Sequence, residues 1–129
     1  MSIKVSGFNS AALDYKIIFF DNQVAPTAAI QENVTGSSGR FYSVDIDNKS
    51  GSPIWVRLFD GSAPVLGTTA PHWTFKLDGS ERNKFEIPGG APFSTGLNLW
   101  TTGTVATGQP VKSITPPAAA GCIVTIITS

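Results

Sequence analysis

The stretch FYSVDIDNKSGSPIWVRLFDG, residues 41–61, alternates apolar and polar side chains, pauses in a run of small residues, and alternates again. Alternation of period two sends successive side chains to opposite faces and marks a half-buried strand. Tyr42, Val44 and Ile46 form one face of the first run, against Ser43, Asp45 and Asp47. Ile54, Val56 and Leu58 make the inward face of the second run, leaving Trp55, Arg57 and Phe59 outward. Asn48-Lys49-Ser50-Gly51-Ser52 offers Asn and Gly for positive φ, and predicts an antiparallel hairpin between the two runs.

The same period recurs along the chain. Strands are predicted near 15–20, 27–34, 41–47, 53–59, 72–78, 82–87, 96–102 and 121–128, and no window holds helical spacing over three turns. Asp78-Gly79-Ser80 predicts a second hairpin, with Trp73, Phe75, Leu77, Phe85 and Ile87 inward and Thr74, Lys76, Arg82, Lys84 and Glu86 in solvent. Leu97 and Leu99 take the core face of their strand and turn Trp100 outward beside Asn98 and Thr102. The last run is apolar on both faces, with Ile123 and Ile127 on one and Cys122, Val124 and Ile126 on the other, as expected of a strand covered on both sides. About eight short strands with frequent turns predict an all-β fold, a two-sheet antiparallel β-sandwich or jelly roll. Residues 15–129 form this single domain, and residues 1–14, anchored by Ile3, Val5 and Phe8, read as an N-terminal arm that packs on a neighbour.

At 129 residues the chain can bury about two thirds of its unfolded surface without a staple. Its single cysteine, Cys122, excludes an internal disulfide framework and reads as a small buried apolar residue. Ile17-Ile18-Phe19-Phe20 is too short for the apolar segment of a signal peptide or for a membrane span, so synthesis in the cytoplasm is expected and the sequons at Asn33 and Asn48 carry little weight. Net charge is zero and only 14% of residues are charged, which argues against electrostatic binding of nucleic acid. After Glu86 the one charge is Lys112, a composition poorly suited to a domain that must stay apart from its neighbours.

Chemistry finds little purchase. The one histidine, His72, opens a strand beside Thr74 and Lys76, and no G-x-S-x-G elbow accompanies it. Asp45 and Asp47 lie on one strand face about 7 Å apart, a spacing open to a carboxylate pair or a cation. The calcium-loop pattern fails because Lys49 and Val56 stand where oxygen ligands belong. A solvated face, with either carboxylate pairing Arg57 across the hairpin, is the simpler reading. Phosphate-binding glycine motifs and Cys/His clusters are absent from the sequence, so no cofactor, metal or enzymatic activity is expected.

The outward aromatics carry the functional reading. Single exposed apolar residues are ordinary, but aromatics flanking an arginine have the composition of an interface centre. Trp55, Arg57, Phe59 and Trp100 are therefore candidate contacts, covered by another chain or by a return loop of this one. Three tryptophans among Asn and Asp leave a sugar-binding sandwich as the rival.

Asp45-Ile46-Asp47-Asn48, Gly67-Thr68-Thr69-Ala70-Pro71 and Phe93-Ser94-Thr95-Gly96-Leu97, within residues 41–128, resemble small virion proteins of tailed bacteriophages, some of them capsid decoration (cement) proteins. The resemblance implies a compact β domain on the virion capsid surface, often a homo-oligomer such as a dimer or trimer. It implies the major capsid protein as partner, with no role for nucleic acid or membrane. Ile3, Val5 and Phe8 would reach a neighbour or the shell, and a tail or fibre position is the alternative.

Overall fold

In the computed structural model, which describes residues 15–103 and 112–129, the chain is all-β with two antiparallel sheets. The strands are β1 (Lys16–Asn22), β2 (Gly39–Asn48), β3 (Ile54–Asp60), β4 (Trp73–Leu77), β5 (Arg82–Phe93), β6 (Leu97–Gly103) and β7 (Cys122–Thr128). A four-stranded sheet has the order β1-β7-β2-β5 and a three-stranded sheet the order β4-β3-β6. The predicted arm over 1–14, with Ile3, Val5 and Phe8, lies outside the described residues.

Both predicted hairpins are corrected. β2 pairs with β5 and β7, while β3 pairs with β4 and β6, so the loop after Asn48 carries the chain from one sheet to the other. A tight hairpin turn of the favoured type needs positive φ at both central residues, and none of residues 48–52 has it. Asn48 instead folds its own loop and ties it to the next. Its side-chain amide donates to Ser52 O at 2.8 Å and to Asp78 O at 2.9 Å, and its Oδ1 accepts from Ser50 N and Oγ. The Asp78-Gly79-Ser80 turn likewise passes between sheets, with Ser80 N donating to Ser50 O. Gly79 is required there because a Cβ would run into the Gly51 backbone.

The predicted strand at 27–34 is reduced to one bridge, Gln31 to Leu99, beside the edge of β6. Ala28 and Ala29 are poor strand formers, and the Asn22 side chain holds the Thr27 backbone at both N–H and C=O, committing the start of the segment to a turn.

The core lies between the sheets. Val44, Ile46, Ile54, Val56, Leu58, Leu97, Leu99, Cys122, Val124 and Ile126 are fully buried, following the period-two pattern. Trp73, Phe75, Phe85 and Ile87 pack against this core while half-buried. Tyr42 is the exception. A bulge between Phe41 and Ser43 inserts a residue in β2, so Phe41 takes the core position, packed edge-on to Trp73 at 5.0 Å, and Tyr42 turns toward Tyr15. Opposite it β5 accommodates the shift through Ile87-Pro88-Gly89-Gly90, both glycines having positive φ.

Candidate functional site

The outer face of the four-stranded sheet divides into two halves. Strand register lays out three rows across it: Ile17, Ile127, Ser43 and Glu86; then Phe19, Thr125, Asp45 and Lys84; then Asp21, Ile123, Asp47 and Arg82. The β1 and β7 side is mainly apolar, with Thr125 in the middle and Asp21 at one end, and the β2 and β5 side is mainly charged. Ile17 is 70% exposed, Phe19 63% and Tyr15 57%. The outward side chains of β7, Ile123 and Ile127, are half-buried, so this central strand is not covered on both faces as its composition predicted.

Where the halves meet, Phe19, Asp45, Asp47, Arg82, Ile123 and Thr125 line an open depression of about 220 Å³. Its carboxylates are already engaged. Arg82 donates to both oxygens of Asp45, at 3.3 and 3.0 Å, and Lys49 pairs with Asp47 at 3.0 Å. The expected partner, Arg57, is on the other sheet, which corrects the cross-hairpin pairing. No group of three or more metal-binding side chains occurs among the described residues.

The outer face of the three-stranded sheet holds the residues singled out from the sequence, and they behave differently from one another. Arg57 and Trp100 are each 2% exposed. Both are covered in the single chain, so neither is presented to a second one. They sit side by side in register, and the Arg57 Nε donates to Thr102 Oγ1 at 3.0 Å. Burial pushes the Arg57 guanidinium down from its ordinary value. Trp55 remains half-buried with Lys76 over its ring at 5.6 Å, and Phe59 stacks on His72 at 4.6 Å and an interplanar angle of 8°.

His72, Asp60 and Ser94 come together at one end of this sheet, but their contacts run in the wrong order for a nucleophile. His72 Nδ1 accepts from the backbone N–H of Asp60 at 2.9 Å, so it does not donate to a carboxylate as a triad histidine does. Ser94 Oγ donates to the Asp60 carboxylate at 3.1 Å instead of to the imidazole. Asp60 is a loop clasp. Burial raises its carboxyl pKa, but the donors of Ser94, Thr95 and Gly96 outweigh that and hold it below the usual carboxylate range.

Cys122 is fully buried, and burial pushes its thiol up to about 11, too high for a thiolate near neutral pH.

Ile17 and Phe19 were not singled out from the sequence. The signal was present in Ile17-Ile18-Phe19-Phe20, where a strand apolar on both faces has one more apolar face than a two-layer fold can bury. No protein-family model, curated protein or solved structure matches this chain.

Proposed function

We propose that the chain is a structural protein of a tailed-bacteriophage virion, a capsid decoration protein that binds the assembled shell and stabilises it. The observation that carries this reading is the divided outer face, where exposed Ile17 and Phe19 adjoin the charged half on a rigid sheet. A two-layer domain of this size that leaves large apolar side chains in water forgoes stability unless a partner covers them. The placement of His72, Asp60 and Ser94 supports a non-enzymatic role, and the resemblance of residues 41–128 supports the phage particle.

The finer fold assignment is a jelly roll. With 27–34 counted as a strand beside the seven, the chain pairs first with last, second with seventh, third with sixth and fourth with fifth. That is a ribbon of nested antiparallel pairs rolled into two layers, an architecture shared by viral capsid domains and lectins. Fold likeness alone does not choose between these roles. Phe19 beside Asp45, Asp47 and Arg82 in an open depression favours carbohydrate binding as the second reading.

The deciding experiment is quantitative mass spectrometry of purified particles. Decoration predicts copies within a few-fold of the major capsid protein. A few copies per particle assigns a tail or fibre position, and absence from particles removes the proposal. Glycan binding by titration calorimetry that is lost in Phe19→Ala would promote the sugar-binding reading.

A further inference from the structure

Every sheet has edges that must be kept from pairing with stray strands, and this chain guards its edges unequally. β5 carries Arg82, Lys84 and Glu86 outward and is broken by Pro88-Gly89-Gly90 and Pro92. β4 is only five residues long and bears Lys76. The free side of β6 is occupied by Gln31 and Val34, which bond the Leu99 and Leu97 backbone, and by Thr115, which bonds Gly103. Among the described residues β1 is the least guarded, with its charges, Lys16 and Asp21, only near its two ends. It pairs only with β7 among the described residues, contains neither proline nor glycine, and has four consecutive apolar residues, Ile17-Ile18-Phe19-Phe20.

We propose that β1 is the docking site for a second copy of this chain, with the two β1 strands antiparallel about a two-fold axis at Ile18. The two four-stranded sheets then become one continuous sheet. Three features select this occupant and arrangement. Among the described residues the outer row of β1 backbone N–H and C=O groups has no strand partner, and an extended strand is the protein partner that fits such a row. Each β1 carries Asp21 at one end of the Ile17 and Phe19 face, so antiparallel pairing keeps the two carboxylates apart, whereas parallel pairing sets them side by side. Directly opposed residues share a face, so odd must meet odd. Centring on Ile18 sets Ile17 against Phe19 of the second copy, twice by symmetry, and Tyr15 against Asp21; centring on Phe19 would set Ile17 against Asp21. The exposed stripe of Ile17 and Phe19 thereby becomes the middle of a closed, isologous interface. This contact is separate from the Trp55 and Phe59 face and does not depend on the phage assignment.

Sedimentation equilibrium on the full chain, from micromolar to sub-millimolar concentration, tests it. The expected result is a monomer–dimer equilibrium in which Phe19→Lys and Ile17→Lys each raise the dissociation constant about tenfold or more, while Val24→Lys, at a still more exposed loop position, leaves it unchanged. Because Ile17 and Phe19 lie outside the core, unchanged circular dichroism should accompany the loss. Ile18→Cys provides a second line: mild oxidation should give a covalent dimer, with buried Cys122 contributing no cross-link in the parent protein. A monomer throughout the range, a trimer, or a dimer indifferent to both lysine substitutions would overturn the proposal. A monomer that nonetheless loads onto particles at high copy number would overturn the self-contact and leave the decoration reading standing.

Discussion

The two outer faces of this sandwich have similar raw material and opposite fates. On the three-stranded sheet Trp100 and Arg57 point away from the core and are 2% exposed; on the four-stranded sheet Ile17 and Phe19 point away and are 70% and 63% exposed. Alternation in the sequence identifies the outward face of a strand but carries no information about whether that face is later covered. Coverage comes from segments far along the chain, and it decides whether an outward aromatic serves stability or association.

The largest expected effect separates these two roles. Trp100→Ala should destabilise the chain by about 3–5 kcal/mol in urea unfolding, as for other large buried aromatics, while Phe19→Ala should leave the midpoint of the isolated monomer unmoved. Equal losses would break the comparison.

A polar contact of the same kind exists on each face. Thr102→Val removes the hydroxyl that accepts from buried Arg57 and should cost about 1–3 kcal/mol. Asp45→Ala removes the acceptor of exposed Arg82 and should produce no measurable change in the unfolding midpoint.

Smaller still is an acid effect at the end of the three-stranded sheet. The folded Asp60 carboxyl titrates below its unfolded value of about 3.9. Its contribution is therefore complete above that value and is lost as pH falls through the folded pKa. Thermal unfolding should show a steeper loss as pH falls below about 4 in the parent protein than in Asp60→Asn. Identical pH profiles would show that the clasp formed by Ser94, Thr95 and Gly96 does not depend on charge.

The smallest effect concerns Thr128, whose buried Oγ1 has no hydrogen-bond partner among the described residues. Thr128→Val keeps the shape and removes the unpaired group, so stability should hold or rise by up to about 1 kcal/mol. A clear loss would point to a partner for that hydroxyl.

Strand positions and inward faces were largely legible, because the residues of β3, β6 and β7 read as inward, Ile54, Val56, Leu58, Leu97, Leu99, Cys122, Val124 and Ile126, are all buried. Pairing was not. A five-residue loop of Asn, Lys, Ser and Gly satisfies the local rules for a hairpin as well as those for a crossing between sheets. What decides is the reach of Asn48 to Asp78 O, thirty residues away, which no local pattern encodes. Tyr42 was misplaced for a related reason, since a single inserted residue reverses every face beyond it. The outward aromatics of β3 and β6 were legible as outward, but their burial was not, and the exposed face of β1 was hidden inside a run too uniformly apolar to show a side.

The position of β7 has a consequence for how the molecule is made. It lies between β1 and β2, the two earliest strands, and pairs with both along its length. During synthesis β1 cannot find its neighbour, and β2 has only β5, until β7 has left the ribosome, so the four-stranded sheet closes after translation of that segment and not during it. Long-range pairing of this sort slows folding toward the millisecond-to-second range, and through that interval the bare edge of β1 is available to any nascent copy alongside.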